Sequence, residues 1–278
     1  MKTIMKSLLL MLLVTLTITS CKKDEKSDEN KQLAVKVTDG PFPYQFATEA
    51  NIGFSKIELR NKATGDYVTV FEGNSKVNMV DYRNGNSTEI TKKAVPAGTY
   101  DQVRVTISSA DVKLSNNETF NAGLTTAQSV TSPIKPELVI TNDDADTLLL
   151  DIDLSDSFVF DGFMNWITDI TNITGIQSFN ADVRAANLSE TGSISGKITD
   201  ANGSTVTNAE VYLLTDYNDD GINEKVISVT DDNGNYKFVG LEQGSYIVHC
   251  VTPQQHSGVA SNVQVQIDNN TQLNITVN

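Results

Sequence analysis

The chain has 278 residues, of which 21 are Lys or Arg and 35 are Asp or Glu, so its formal charge is −14. An acidic surface argues against nucleic acid as a partner and is compatible with cation binding. With only two histidines, His249 and His256, a catalytic triad or a zinc site built on histidine is not indicated.

Residues 1–20 are predicted to form an export signal. A short basic region precedes the apolar run SLLLMLLVTLTITS, which is too short and too closely followed by Cys21 to be a membrane span. The letters ITSC that end at Cys21 resemble the lipobox of bacterial lipoproteins, which implies lipidation of Cys21 and removal of the preceding peptide. An ordinary signal peptide with an incidental cysteine is the alternative. Each buried CH₂ of an acyl chain contributes about 0.8 kcal/mol of membrane affinity, so such an anchor needs no protein span.

Residues 21–32 are predicted to be a disordered tether, because KKDEKSDENKQ is charged and has no apolar residue to bury. Its first four letters, KKDE, resemble the signal that directs lipoproteins to the outer face of the outer membrane in one phylum of Gram-negative bacteria. This resemblance implies an outer-membrane protein that is held by lipid and faces the cell exterior. A spacer without an address is the alternative.

From Leu33 onward the chain favours an all-β fold. Short runs rich in Val, Ile, Thr and Tyr alternate with Gly, Asn and Asp clusters, as in antiparallel sheets. The polar link LSETGS at 188–193 separates two sets of strands and predicts a domain at 33–188 and another at 192–278. Each is long enough to bury its own core. The prediction is therefore two antiparallel β-sandwich domains in tandem.

Two segments of the first domain have a distinct pattern. In TLLLDIDL at 147–154 every second residue is apolar, which predicts a strand with one core face. The residues on that face are Leu148, Leu150, Ile152 and Leu154. One short helix is predicted around DGFMNWITDI, which contains Trp166. In the second domain, Cys250 shares a strand face with Tyr246 and Val248, so it is predicted to be a buried core residue rather than a nucleophile.

The segments GSISGKITDANGSTVTNAEVYLL and SVTDDNGNYKFVGLEQGSYIVHCVTP of the second domain resemble the carboxypeptidase-regulatory-like and Cna-B-like β-sandwich family. DNG at 232–234 supplies a residue that tolerates positive φ in a tight hairpin, and Tyr236 and Phe238 alternate inward after it. The resemblance implies a prealbumin-like or carbohydrate-binding-like sandwich that serves as a spacer, stalk or docking module. It brings no catalytic residues.

The first domain resembles the domain-of-unknown-function family numbered 4382, which is common in exported lipoproteins. The resemblance rests on four segments: LAVKVTDGP, VPAGTYDQVRVTI, TLLLDIDL and FNADVRAANL. The family brings no established activity.

Four charged residues stand in these segments: Asp39, Arg104, Asp151 and Asp153. An Asp pair at i and i+2 shares a strand face and could bind a cation or orient an Arg. The favoured interpretation is structural, with Asp39 capping a turn and one Asp paired with Arg104. Paired carboxylates for glycoside hydrolysis would need a cleft and tuned pKa values, so the chain is predicted not to be an enzyme.

The stretch DYNDDGINEK at 216–225 predicts a structural calcium loop. Oxygen ligands fall at the calcium-loop positions 1, 3, 5, 7 and 9, with Gly221 at the bend. They belong to Asp216, Asn218, Asp220, Ile222 (through its carbonyl) and Glu224. Position 12 is Ile227 instead of an acid, so binding would be weak, and a polar turn is the alternative.

These features together favour a non-enzymatic, surface-exposed lipoprotein that acts as a binding, docking or structural module. One alternative is a carbohydrate-binding lipoprotein that assists glycan capture, which exposed Tyr or Trp on one sheet face would favour. Another is a pilus-like assembly subunit, because the terminal strand LNITVN could leave a pairable edge. The partners would be the membrane through the lipid anchor, and a glycan or another surface protein.

Overall fold

A computed structural model of the chain describes residues 32–40, 47–141, 146–162, 173–217 and 221–278. The predicted signal, Cys21 and nearly all of the tether fall outside these residues, as does the predicted helix around Trp166. They stay predictions. Within the described ranges, no helix combines the length and the apolar character needed to cross a membrane.

Among the described residues before 188 there are eleven strands and two short helical segments. The strands are β1 (Gln32–Asp39), β2 (Ala47–Asn61), β3 (Tyr67–Asn78), β4 (Thr88–Ala94), β5 (Gly98–Leu114), β6 (Thr119–Asn121), β7 (Gln128–Ile140), β8 (Thr147–Asp153), β9 (Phe158–Asp161), β10 (Gly175–Phe179) and β11 (Asp182–Asn187). The helical segments are a 3₁₀ turn at Met79–Tyr82 and a single α-helical turn, α1, at Leu154–Ser157.

The first domain is built on one nine-stranded sheet in the order β3-β2-β5-β7-β11-β8-β1-β4, with β6 beside β5, while β9 and β10 form a separate pair. The two outermost strands come together, since Lys93 Nζ on β4 donates to the Thr69 carbonyl on β3 at 2.9 Å. The sheet therefore curves around its own core. As predicted from alternation, the side chains of Leu148, Leu150, Ile152 and Leu154 are fully buried in that core.

After a 3₁₀ turn at Leu188–Glu190, the second domain stacks two four-stranded sheets, β15-β12-β18 with β19 beside β12, and β14-β13-β16-β17. Its strands are β12 (Gly192–Asp200), β13 (Glu210–Thr215), β14 (Glu224–Val229), β15 (Asn235–Leu241), β16 (Gly244–Val251), β17 (Ser257–Val265), β18 (Asn270–Gln272) and β19 (Ile275–Val277). The predicted tandem of two β-sandwich domains is confirmed.

Several pairings depart from a purely antiparallel plan. Strand β1 runs parallel to β8, β11 parallel to β7, and β12 parallel to both β18 and β19. The terminal strand β19 is thus paired along β12. Strands β14 and β15 lie in different sheets, so the predicted hairpin at 232–234 is wrong: the turn, with Gly234 at φ +74°, carries the chain from one sheet to the other.

The residues predicted to point inward in the second domain lie in its core. Tyr236, Phe238, Val248 and Cys250 are all buried between the two sheets. Burial raises the pKa of the Cys250 thiol to about 11, so it is protonated at neutral pH and is a poor nucleophile. The prediction that Cys250 is a buried core residue is confirmed.

Candidate functional site at the domain junction

One arginine connects the two domains. Arg184 on β11 lies opposite Asp151 on β8, and its Nη2 is 2.6 Å from the Asp151 carboxylate. The same guanidinium donates to the carbonyls of Val239 at 2.8 Å and Gly240 at 2.6 Å, both on β15 of the second domain. An arginine is suited to this role because its planar group holds several donors in fixed directions. Its side chain is only 11% exposed.

The backbones of the two domains approach closely beside this arginine. Gly240 has φ +65°, and a Cβ placed on it would lie 2.8 Å from the Ala186 Cβ. Leu149 and Ala186 face each other on β8 and β11, on the side of the sheet away from the first core, yet both are about 1% exposed. The second domain covers them, which is why Leu149 is buried although its alternating neighbours already fill the core.

A second contact joins Tyr217 to Asp182. The Tyr217 hydroxyl donates to the Asp182 carboxylate at 2.6 Å. Burial raises the pKa of the Asp182 carboxyl, against the opposing effect of the Tyr217 hydrogen bond. Burial also raises the pKa of Tyr217, and the adjacent carboxylate adds to that shift. Nearby, Lys135 Nζ donates to the Asp216 carbonyl at 2.8 Å, a further link between the domains.

Asp153 ends β8 and caps α1 at the same junction. Its Oδ1 accepts hydrogen bonds from the backbone N–H groups of Ser155 at 2.8 Å and Asp156 at 3.1 Å, the usual role of an N-cap residue. Burial raises the pKa of the Asp153 carboxyl to about 7, although the hydrogen bonds from Ser155 act in the opposite direction. Asp153 is therefore partly protonated at neutral pH.

Two small cavities lie between the domains. The first is lined by Asp39, Arg83 and Ser228 among others, the second by Asp153, Asp182 and Tyr217, and each has a volume of about 20 Å³. That is room for roughly one water, whereas pockets for small molecules measure about 300–1,000 Å³. Although Asp153 and Asp182 have raised pKa values, these cavities are too small to admit a substrate.

The charged residues singled out in the sequence only partly come together. Asp151 and Asp153 lie at the junction, and Asp39 is buried beside the first cavity. The prediction that an Asp pairs with Arg104 is wrong. Arg104 on β5 pairs at 2.8 Å with Glu58, which stands directly opposite it on β2. Residues 41–46, which follow the turn position predicted for Asp39, lie outside the described residues, so its capping role stays a prediction.

Three residues of the junction had not been predicted as functional: Asp182, Arg184 and Tyr217. Asp182 and Arg184 belong to FNADVRAANL, a segment that resembled the family numbered 4382, but their partners lie 35 and 55 or more residues further along the chain. No local spacing links them. An arginine and an aspartate two residues apart near a domain boundary are the only signal that the sequence offers.

The predicted calcium loop is only partly described. Asn218 and Asp220 lie outside the described residues. The Asp216 carboxylate accepts the Gly221 N–H at 3.0 Å and the Glu224 carboxylate accepts the Tyr217 N–H at 3.3 Å, so both bond to the backbone of their own loop. Among the residues that the structure describes, no three Asp, Glu, His or Cys side chains are grouped to hold a metal. Calcium at Asp216, Ile222 and Glu224 stays a prediction.

Two family models match the chain. One, described as a domain of unknown function (DUF4382), matches residues 30–169, and the other, described as a carboxypeptidase regulatory-like domain, matches residues 193–278. Both resemblances predicted from the sequence are thereby confirmed. Comparison with curated proteins found no match.

Three solved structures illustrate what the chain is similar to. The Bacillus anthracis TIE protein is 13% identical with a TM-score of 0.27, and the match covers 83% of this chain and 34% of that one. BcpA, the major pilin subunit of Bacillus cereus, is 13% identical with a TM-score of 0.22, covering 90% and 70%. A Bacteroides ovatus protein proposed to act in cell adhesion is 10% identical with a TM-score of 0.25, covering 89% and 92%.

The chain spans about a third of the length of the TIE protein. None of these descriptions names an enzymatic activity. Because all three TM-scores are far below 0.5, the matches carry no argument about how this chain works.

Proposed function

Because this chain belongs to the DUF4382 family and carries a carboxypeptidase regulatory-like domain over residues 193–278, we propose that it is a non-enzymatic presentation module whose two domains act as one rigid unit at the cell surface. The observation that supports this most directly is Arg184, which binds Asp151 of the first domain and two carbonyls of the second. The division at 33–188 and 192–278 is part of this proposal.

Rigidity requires such contacts because tandem domains otherwise move relative to each other. Charge-assisted hydrogen bonds are stronger and more directional than neutral ones. Here they lie within a buried contact that also includes Leu149, Ala186 and Gly240. A module held in this way would present the far end of its second domain at a set distance and orientation from its first domain.

Rigidity is testable in solution by measuring residual dipolar couplings from both domains of the full chain. We expect one common alignment in the wild type and two separate alignments in Arg184→Ala. Arg60→Ala is the matched control, since Arg60 pairs with Asp101 inside the first domain, and it should keep one alignment. Two independent alignments in the wild type would overturn the rigid-unit proposal.

The anchor is the second part of the proposal. Lipid on Cys21 would hold the protein at the outer membrane, and the tether at 21–32 would let it stand outside the cell. Cys21→Ser should move the protein out of the membrane fraction and abolish labelling by palmitate. Protease added to intact cells should degrade the wild type, and replacing Lys23, Asp24 and Glu25 with Ala should protect it. A membrane-bound Cys21→Ser variant would contradict the anchor.

Glycan capture receives less support from the described aromatic residues. Tyr212 lies on an outer sheet face, but the His249 ring stacks on it with centroids 4.9 Å apart, and Lys225 Nζ lies 4.4 Å from its ring centroid. These partners come from the strands on either side of Tyr212, so neither ring face is open to a sugar. The Arg104 guanidinium covers one ring face of Tyr67, with its carbon 3.9 Å from the ring centroid.

A further inference from the structure

The outer face of the β14-β13-β16-β17 sheet is unusually apolar. Alternation along the strands sends Val211, Leu213, Val248 and Cys250 into the core and their neighbours outward. We call the outward set Tyr212, Leu214, Ile247, His249 and Val259 the outer apolar face. Leu214 is 48%, Ile247 51% and Val259 58% exposed, so three of the large hydrophobic side chains exposed in the described part of the chain share this one face.

The strand register makes this face continuous. Tyr212 stands opposite His249, and His249 stands opposite Val259, so the three form a row across three adjacent strands. Leu214 lies two positions after Tyr212 on β13 and Ile247 two positions before His249 on β16, which antiparallel pairing brings to the same end of the face. A contiguous apolar patch on a sheet is typical of an interaction surface.

The charge of this face distinguishes it from the rest of the molecule. Along its described strands the fully charged outward residues are Glu210 and Lys225, and they form an ion pair at 3.1 Å. The face is therefore close to neutral, whereas the whole chain has a formal charge of −14. Two copies that met elsewhere on their acidic surfaces would repel each other, and two copies that met through this face would not.

We propose that the outer apolar face is the interface between two copies of this chain. A two-fold interface uses the same patch on both partners, and this patch can pair with itself because it is apolar and balanced in charge. Two such sheets would pack face to face at about 10 Å, with side chains interdigitating as in a sandwich core. The inference goes beyond the proposed function and does not depend on it, since Arg184 and its partners lie on β8, β11 and β15, whereas the outer apolar face lies on β13, β16 and β17.

Sedimentation equilibrium of the full chain tests the interface. The wild type should show a concentration-dependent dimer. Ile247→Asp, which places a charge within the face, should weaken dimerisation at least tenfold, and the milder Val259→Thr, which keeps the β-branched shape, should weaken it severalfold. The matched control is Val139→Asp, because Val139 is 53% exposed on β7 of the first domain. It should dimerise like the wild type.

Two results would overturn the proposal. One is a wild type that stays monomeric up to about 100 µM, and the other is a dimer that Ile247→Asp and Val259→Thr leave unchanged. Circular dichroism of each variant checks that its fold is intact, and Val259→Thr still tests the interface where Ile247→Asp unfolds. The dimer test is independent of the test for a rigid domain pair, since Arg184→Ala should leave the dimer intact.

Discussion

The surface of strands β2 and β5 in the first domain and the domain junction use the same kinds of charged group in different surroundings. On β2 and β5, Arg60 forms a two-pronged ion pair with Asp101 while its side chain stays 36% exposed. The hydrogen bond from Arg60 lowers the pKa of Asp101. At the junction, burial instead raises the pKa values of Asp153 and Asp182. The contrast shows that the dominant local cause, an arginine hydrogen bond at Asp101 and desolvation at Asp153 and Asp182, decides how each carboxyl group responds to pH.

The largest expected difference between the two regions is in the stability lost when one arginine is removed from each. Arg184→Ala leaves Asp151 buried and also removes two hydrogen bonds to β15, so it should lower the free energy of unfolding by about 3–5 kcal/mol. Arg60→Ala removes an arginine that is 36% exposed, against 11% for Arg184, and that bonds only within the first domain, so it should lower the free energy of unfolding by less. Urea denaturation of both variants measures the difference. Equal effects would mean that the junction arginine is no more important than a surface one.

The pH dependence of stability should have opposite signs in the two regions. The pKa of Asp153 is raised in the folded state to about 7, so its contribution favours folding at low pH and is lost as pH rises from about 4 to 7. Each pKa unit corresponds to about 1.4 kcal/mol. Asp153→Asn keeps an acceptor for the cap and should remove this loss, raising stability at pH 8.

Asp101→Asn is the control for that measurement. Because the folded-state pKa of Asp101 is lowered, its stabilisation is present above the unfolded pKa and is lost as pH falls through the folded pKa. Thermal unfolding from pH 3 to 8 should therefore show Asp101→Asn losing stability relative to the wild type at pH 8, where Asp153→Asn gains it. A stability change of the same sign at pH 8 in both variants would contradict the opposite pKa shifts of Asp101 and Asp153.

Packing at the junction can be tested apart from charge with two glycines. Gly240 and Gly203 both have positive φ, at +65° and +81°, so Ala costs about 1–2 kcal/mol of backbone strain at either. A Cβ at Gly203 meets nothing within 4 Å, whereas one at Gly240 meets Ala186 at 2.8 Å. Gly240→Ala should cost a further 1–3 kcal/mol, roughly, from overpacking. If chemical denaturation shows that Gly240→Ala and Gly203→Ala lose the same stability, then Gly240 does not pack closely against Ala186 in solution.

A smaller effect is expected from the Tyr217 hydroxyl. Tyr217→Phe leaves Asp182 without one donor, which should cost about 1–2 kcal/mol at pH 8. The cost should shrink at lower pH. Because the pKa of Asp182 is raised, its carboxyl group takes up a proton there, and a neutral carboxyl group loses less without the Tyr217 hydroxyl than a carboxylate does. Stability measured at pH 5 and pH 8 checks this. A cost that grows on acidification would contradict the raised pKa.

The smallest effect concerns the predicted calcium loop, which borders the junction through Asp216 and Tyr217. With a dissociation constant on the order of 10⁻⁴ to 10⁻³ M, 1 mM calcium should add about 0.4–1.4 kcal/mol to the stability of the full chain. Thermal unfolding in calcium against chelator measures it, with Asp216→Ala and Asp220→Ala together as the control. If the unfolding midpoint does not shift, or shifts equally in the double variant, the loop is a polar turn that does not bind calcium.

Much of the fold could be predicted because its determinants are local. Alternation in TLLLDIDL identified the core face of β8, and the NYKFVG pattern identified Tyr236 and Phe238 as buried. Arg104 was assigned the wrong partner because its pair depends on the register between β2 and β5, which places Glu58 opposite it. The hairpin predicted at 232–234 is wrong because a tight turn can either join two paired strands or cross between sheets, and the local sequence is the same in both cases.

The sequence by itself determined the all-β class, the two families, the buried Cys250 and the core face of β8 and β15. These follow from residue type and period, which act over a few neighbouring positions. Only the tertiary structure decided that Arg184 bonds to Val239 and Gly240, that Tyr217 bonds to Asp182, and that β8 is buried on both faces, with Leu149 under the second domain. These contacts join segments 35 or more residues apart, and the raised pKa values of Asp182 and Tyr217 depend on solvent exclusion, which no local pattern encodes.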